Sequence, residues 1–552
     1  MRVPLTTADF LVRGALVYPD RVAVVDEHLP PAVDPLGTLT YRVLADRVRA
    51  LQAGLDELGV GRGERVAVVS HNAARLLELL HAVPASGRVL VPVNFRLTTE
   101  EVRYVVEHSG ARVLLVDPEV DAPLAQVTAV HRLVLGAESD AALLRPDREP
   151  VPWADPDEDA TATINYTSGT TARPKGVQLT HRALWVNAVT FGLHLTVSDR
   201  DVYLHTLPMF HANGWGMPFT VAGLGVPQVV IRKIDGMEIL RRVRDHGVTL
   251  MCAAPAVVAG VLDCLPQWES TGGEVPGRGR VRVVCAGAPP PSRLIARVET
   301  ELGWEFVQIY GLTETSPLLT VNRATVEDDG LDPEQRARRL VRAGAPALGV
   351  ALSIEHVGDQ AGDAGDGGDA GDAGDAGDAG DAGDAGEVGA PGEVLARSNV
   401  VLAGYWEQPE ETATALRDGW FHTGDGGSVD ERGVLTISDR KKDVIITGGE
   451  NVSSIEVEDR LYAHPAVAEV AVIGIPDERW GETVKALVVL APDADPAPTS
   501  AELIAFARAG LAHYKCPTSV DLVGSIPRTA TGKVQKFKLR QPFWLGRERG
   551  VS

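Results

Sequence analysis

Cysteine is scarce and scattered: Cys252, Cys264, Cys285 and Cys516 are the only four, with no Cys-x-x-Cys and no His-paired spacing. That excludes a disulfide framework or a zinc site and fits reduced thiols in the cytoplasm. No run of about 18 apolar residues occurs, and the opening stretch MRVPLTTADFLVRG has no apolar core, so neither a membrane span nor a secretory signal is expected. Basic charge is also short, with 53 Lys and Arg against 75 Asp and Glu and a net charge of −22. A chain so acidic lacks the basic face that nucleic acid or an anionic membrane requires of a main partner. What the chain does have is length: its 552 residues, 44% of them hydrophobic, are too many for one core and suggest roughly three or four structural units.

Short β-branched runs alternate with helical patterns: Arg65 to Val69, Val89 to Val93, Arg112 to Val116, Val202 to Leu207, Val229 to Ile231, Val281 to Cys285 and Phe306 to Tyr310. Amphipathic stretches such as Leu184, Ala188, Phe191 lie between them, which reads as α/β with buried sheets. In such folds ligand chemistry collects beyond the strand ends. After Asp439 the runs Val444 to Ile446, Val467 to Ile473 and Val484 to Leu490, with a serine-capped helix from Ser454 to Tyr462, read as a small separate unit. One segment breaks the pattern. From Gly358 to Glu387 the chain is almost pure Gly-Asp-Ala triplets, with ten acids and no base. Lacking proline it is not collagen, and lacking a recurrent apolar residue it cannot build a β-helix, so a solvated disordered loop is expected.

The most informative run is YTSGTTARPKGV, Tyr166 to Val177. Thr167, Ser168, Gly169, Thr170, Thr171 and Lys175 lie between an apolar strand, Ala162 to Tyr166, and a helical pattern beginning near Thr180. Backbone N–H groups, small hydroxyls and one cation converge there on a single kind of target, a polyphosphate. It is not a Walker loop, which needs G-x-x-x-x-G-K followed by Ser or Thr. Downstream, Tyr310-Gly311-Leu312-Thr313-Glu314-Thr315 offers an aromatic to stack on a base, a hydroxyl for a phosphate and a carboxylate for a hard cation. Small residues at Gly287-Ala288-Pro289 could wall a purine. Asp425, in the turn Gly419 to Asp425, could accept hydrogen bonds from a ribose diol, with Arg440 a second candidate. Lys533 ends a glycine-flanked turn, Pro527 to Lys533, and taken singly is a solvated surface lysine.

In this order the motifs resemble the adenylate-forming superfamily, which includes acyl-CoA synthetases, nonribosomal adenylation domains and beetle luciferases. The resemblance runs from Leu39-Thr40-Tyr41 through Asn94 to Thr98 and on to Lys533, and points to the acyl-CoA synthetase branch. It implies an α/β fold: a large N-terminal domain of αβ-layered sheets with a small β-barrel-like subdomain, residues 1–439, then a small mobile α+β domain, residues 440–552. By motif, Thr167 to Lys175 would hold the ATP β- and γ-phosphates and Tyr310 would stack near adenine. Thr313 would contact the α-phosphate, Glu314 would bind Mg²⁺, and Asp425 with Arg440 would hold the ribose. Lys533 would bridge the carboxylate and α-phosphate in the transition state, Lys442 would be the hinge, and Gly448 and Gly449 would line the pantetheine path of coenzyme A. Two departures stand out: Ala172-Arg173 replaces a commoner glycine-containing pair, and relatives have only a short turn where the triplet repeat lies.

The substrate-side motif is Leu207 to Trp215, with His211, Asn213, Gly214 and Trp215 the pocket candidates. Amino-acid-activating relatives carry Asp at the position of His211 to pair the substrate ammonium; without it that ammonium would be buried alone, at a cost of several kcal/mol. A plain carboxylic acid, fatty or aromatic, is therefore expected. Trp215 either closes the pocket to long chains or packs the domain. Because no carrier domain follows Lys533, coenzyme A is the simplest acceptor and a free-standing carrier protein the second. Monomer and homodimer both fit. An alternative enzyme of secondary metabolism would pass the activated group to a carrier or an amine, or activate nitrite for diazotisation. A silent nucleotide- or acyl-sensing protein is the reading from another class, and it has no reason to keep Lys175, Glu314, Asp425, Arg440 and Lys533 together.

Overall fold

The computed structural model describes residues 1–27, 34–167, 174–356, 389–440, 443–447, 450–477, 479–492, 494–529 and 533–545, with the side chains of Arg440 and Asn451 outside that description. The Gly-Asp-Ala repeat, Lys442, Gly448 and Gly449 lie outside it too. The chain groups into two compact units: Met1–Gly349 with Ser398–Thr414 and Gly524–Gln535, and Val350–Arg397 with Ala415–Val523 and Lys536–Ser552.

The larger unit holds two sheets. One has nine strands, running in space Ala345–Pro346, Thr320–Arg323, Glu305–Tyr310, Arg282–Cys285, Leu250–Ala253, Tyr203–His205, Gln228–Val230, Val22–Asp26 and Gly37–Thr40. The other has seven: Gly404–Tyr405, Lys175–Thr180, Thr161–Thr167, Val89–Val93, Arg65–Val69, Val113–Val116 and His131–Val134. The central strands pair in parallel and are buried on both faces, which is why they read as unbroken apolar runs. Two expected strands keep their bounds, Arg65–Val69 and Val89–Val93. The expected Val202 to Leu207 contracts to Tyr203–His205, because Pro208 cannot donate to a ladder and the chain turns there. Thr180 caps the helix His181–His194 by accepting from the Ala183 N–H at 3.1 Å, and Leu184, Ala188 and Phe191 face the core.

In the smaller unit, Val350–Glu355, Gly392–Ser398, Phe421–Val429 and Leu435–Arg440 form a four-stranded sheet in that order. Its outer strands do not pair with each other, so among the described residues the expected barrel-like subdomain is an open sheet; four strands are too few to close. A second sheet there contains the hairpin Val467–Asp477 with Gly481–Leu490. The helix Ser454–Tyr462 packs beside it, capped by Ser453, whose hydroxyl accepts from the Glu456 N–H at 3.4 Å.

Three histidines of the larger unit, His81, His181 and His205, are essentially fully buried, and burial pushes each imidazole down to about 4. In the unfolded chain they protonate near 6.5, so the unfolded state binds more protons between those two values and stability falls as pH drops through that window. Each full shift removes up to about 3 kcal/mol. Thermal unfolding followed from pH 7 to pH 4.5 is expected to show a steeply falling midpoint; a flat midpoint would contradict the neutral burial of these rings.

Candidate active site

Thr161–Thr167 and Lys175–Thr180 form an antiparallel hairpin in which Thr167 faces Lys175. The phosphate-loop candidate therefore lies between two paired strands rather than between a strand and a helix; Ser168, Gly169, Thr170 and Thr171 lie outside the described residues. The second strand escaped the sequence reading because Lys175 to Thr180 alternates too briefly to signal a strand. Lys175 is three-quarters enclosed or more, ion-paired with Glu411, and its ammonium stands 5.1 Å from the Tyr405 ring centroid.

Parallel pairing puts the other motifs at one sheet edge. Tyr203–His205, Leu250–Ala253, Arg282–Cys285 and Glu305–Tyr310 are successive parallel neighbours, with Cys285 opposite Gln308. The turns that follow three of them, His211 to Trp215, Gly287-Ala288-Pro289 and Tyr310 to Thr315, consequently leave at the same carboxyl ends, where α/β sheets bind ligands. Two surface depressions of about 300 and 490 Å³ are lined around Gly279–Glu305 and Val243–Arg280 and include none of these residues. They sit at the opposite end of Arg282–Cys285. At the motif edge Gly287 has φ +91°, a conformation glycine favours. The Glu314 backbone carbonyl accepts from the Leu402 N–H at 2.7 Å, and its Oε1 accepts from the Tyr405 hydroxyl at 3.1 Å.

The substrate-side motif is an unusual turn. Ala212, Asn213, Gly214, Trp215 and Gly216 all have positive φ, from 36° to 77°. For non-glycine residues that conformation costs on the order of 1 kcal/mol each, so surrounding contacts must hold it. Asn72 is the main splint: its Nδ2 donates to the carbonyls of His205 (3.0 Å) and Leu207 (2.7 Å), and its Oδ1 accepts from the Met209 N–H at 2.8 Å. Asn213, fully buried, donates to Thr163 Oγ1 at 3.0 Å and so ties the turn to the strand that carries Thr167. Trp215 is buried at 4% exposure. Desolvation, and after it the Lys533 ammonium, push the His211 imidazole down to about 3, so His211 is neutral at physiological pH. Lys533 belongs to the same unit. Thr529 holds its backbone, the Thr529 N–H donating to the Lys533 carbonyl at 2.7 Å and the Lys533 N–H donating to Thr529 Oγ1 at 3.0 Å.

In the smaller unit Asp425 lies opposite Arg440 across a strand pair, and it is 7% exposed. Both neighbouring ladders are irregular here, between Glu393 and Leu395 and between Gly426 and Gly427, and such bulges re-aim side chains. The Glu393 carboxylate accepts from the Gly424 N–H at 3.0 Å, and Thr423 Oγ1 from the Asp425 N–H at 3.1 Å. Behind this turn Glu355, Glu393 and His422 offer ligand atoms within 4.8 Å of one another. The Arg417 guanidinium stands 3.4 Å and 3.9 Å from the two carboxylates and already supplies the cation such a cluster needs.

A family model described as AMP-binding enzyme matches residues 11–406, and one described as AMP-binding enzyme C-terminal domain matches residues 456–533. The chain belongs to the AMP-binding enzyme family. It is 36% identical to a 2-methylpropanoate–CoA ligase of Humulus lupulus, over 97% of this chain and 95% of that one. A probable acyl-activating enzyme of Arabidopsis thaliana named as peroxisomal is also 36% identical, over 98% and 96%. Among solved structures, an anthranilate–CoA ligase in complex with anthranoyl-AMP superposes with TM-score 0.82 at 25% identity, covering 99% of both chains. ATP-bound MatB from Rhodopseudomonas palustris gives 0.79 at 27%, covering 97% and 99%. Residues that the motifs did not flag contact the candidate residues: Asn72, Tyr405 and Glu411 within the larger unit, and Glu393 within the smaller. Only Asn72 left a trace, the polar triplet Ser70-His71-Asn72 closing an apolar strand.

Proposed function

We propose that this AMP-binding enzyme is an AMP-forming acid–thiol ligase that activates a carboxylic acid lacking an α-ammonium group. ATP and the acid give an acyl-adenylate and pyrophosphate, and the acyl group then passes to the thiol of coenzyme A. The observation that carries this reading is the gathering of the Gly287, Tyr310 and His211 turns at one edge of parallel strands, with Lys533 close enough to depress His211. The nucleophilic carboxylate is ionised at neutral pH and needs no base. Lys533 places its charge where the phosphoryl oxygens become more negative, the Thr167 to Lys175 hairpin takes the β- and γ-phosphates, and Thr313 meets the α-phosphate. Tyr310 stacks near adenine, Gly287 to Pro289 wall it, and Asp425 with Arg440 holds the ribose.

The donor set fits Mg²⁺: Glu314 is a hard-oxygen ligand with one carboxylate oxygen free of protein partners among the described residues, and Mg²⁺ is commonly held by one or two carboxylates plus phosphates. Bound there, it would neutralise phosphate charge. On this reading residues 440–552 turn between the half-reactions, taking Gly524–Gln535 with Lys533 out of the larger unit with which they group here, with Lys442 the hinge and Gly448 and Gly449 beside the pantetheine path. Short aliphatic acids come first, since two relatives are named for four-carbon acids, 2-methylpropanoate and 4-hydroxybutyrate. Neutral His211 and buried Trp215 supply no ionic anchor for a charged tail. No described helix is long and apolar enough to cross a membrane, and the four cysteines are unpaired; we place the enzyme in the cytoplasm. Pyrophosphate release is to be measured across aliphatic and aromatic acids with ATP, Mg²⁺ and coenzyme A. Acid-dependent release with AMP formation requiring coenzyme A is expected; AMP formation that requires an amine instead would overturn the acceptor assignment.

A further inference from the structure

One short segment joins the two ends of the triphosphate site. Gly404–Tyr405 pairs with the strand that begins at Lys175, Tyr405 lying opposite Val177, and the flanking bonds Ala403 N–H to Gln178 carbonyl (3.0 Å) and Trp406 N–H to Gly176 carbonyl (2.7 Å) extend the pairing. At its upstream end the same segment is fastened to the Glu314 turn, by the Leu402 N–H to the Glu314 carbonyl and by the Ser316 hydroxyl to the Val400 carbonyl at 2.8 Å. The Tyr405 N–H is held in turn by Thr412 Oγ1 at 2.9 Å. With its backbone tied on both sides, the Tyr405 ring has little freedom. Its hydroxyl donates to Glu314 Oε1, and the face of the ring lies under the Lys175 ammonium, which Glu411 also holds. A tyrosine kept only for packing would satisfy its hydroxyl on a nearby carbonyl or in water. Here it reaches the carboxylate of a turn 91 residues away.

The geometry points to Tyr405 as a positioning residue that turns the second oxygen of Glu314 toward the metal–phosphate complex while its ring seats Lys175 for the γ-phosphate. The inference rests on the reading of Glu314 as the metal-side carboxylate. An O–H donated to a charged acceptor fixes the carboxylate's rotation; without it Glu314 must be ordered by the incoming cation, which weakens metal capture rather than nucleotide stacking. The ring contributes separately, through the attraction between an ammonium and an aromatic face.

The test is equilibrium titration of the full-length enzyme with ATP at graded MgCl₂, read by calorimetry, for the wild type, Tyr405→Phe, Glu314→Gln and the double variant. Tyr405→Phe is expected to raise the Mg²⁺ half-saturation of ATP binding about five- to tenfold, to leave metal-free ATP binding unchanged, and to add nothing on top of Glu314→Gln. Tyr405→Leu, which also removes the ring, should in addition weaken ATP binding without metal. Unchanged Mg²⁺ dependence in Tyr405→Phe, or effects that simply add in the double variant, would overturn the positioning role. If Glu314→Gln itself leaves Mg²⁺ dependence untouched, the assignment of Glu314 fails first, and that outcome is distinguishable from the other two.

Discussion

Lys533→Ala is expected to lower acid-dependent pyrophosphate release on the order of a thousandfold, about 4 kcal/mol of transition-state stabilisation, while thioester formation from a synthetic acyl-adenylate and coenzyme A stays within a few-fold of wild type. The argument begins with the local fold. The Thr529 N–H donates to the Lys533 carbonyl and Thr529 Oγ1 accepts from the Lys533 N–H, Arg528 bridges to Val534, and the Gln535 N–H donates to the Pro527 carbonyl at 2.8 Å, so the Lys533 backbone is held by its neighbours. Its charge is felt at His211, which we assign to the acid pocket. A cation beside the reacting phosphate is worth more the more water is excluded around it. Alanine removes the charge without breaking those bonds, which are made by Thr529 and the backbone. Glutamine at 533 should rescue little, since it restores length but not charge. The two half-reactions separate the possible roles: equal loss in both would assign Lys533 to folding or to general substrate binding rather than to the first step.

Part of this candidate site was legible in the sequence because its motifs concentrate in short turns after apolar strands, and such turns carry their composition openly. Tyr310 to Thr315 and Gly287 to Pro289 were found as motifs, and parallel pairing brings them to one edge. The parts that escaped are contacts between distant segments. Asn72, whose three bonds hold the strained His211–Trp215 turn, stands more than 130 residues from its partners. Tyr405 and Glu411 lie beyond residue 400 yet pack on Lys175 and Glu314, and no local pattern signals such a pairing. Glu393 is similar: its hold on the Gly424 N–H depends on a ladder irregularity, which composition does not encode. The open four-stranded sheet departs from the barrel-like expectation for the same reason, since closure is a property of strand partners and not of any one strand.

Gly311→Ala is expected to destabilise the enzyme by roughly 3 kcal/mol or more and to abolish ATP binding at millimolar nucleotide, although a methyl group is all it adds. Gly311 does not need an unusual backbone angle; what it needs is space. A Cβ there would lie 1.5 Å from the Pro317 carbonyl oxygen, 2.7 Å from its carbon and 3.2 Å from the Leu319 nitrogen. All three are backbone atoms, and they cannot swing aside as a flexible side chain could. They are also pinned, because the Leu319 N–H donates to the Tyr310 carbonyl at 2.9 Å and Tyr310 pairs with Thr320. Relief therefore requires the Tyr310–Thr320 pairing to open, which displaces Tyr310 on one side and the Thr313–Thr315 turn that carries Glu314 on the other. Gly287→Ala is the matched control: its Cβ would meet nothing within 4 Å, and only its φ of +91° is strained, at a cost of about 1 kcal/mol. Denaturant unfolding and ATP titration of the two variants should thus separate clearly. A Gly311→Ala enzyme no less stable than Gly287→Ala would mean that the chain can part Tyr310 from Thr320 cheaply, and that the close backbone approach at this turn is not what holds Tyr310 and Glu314 together.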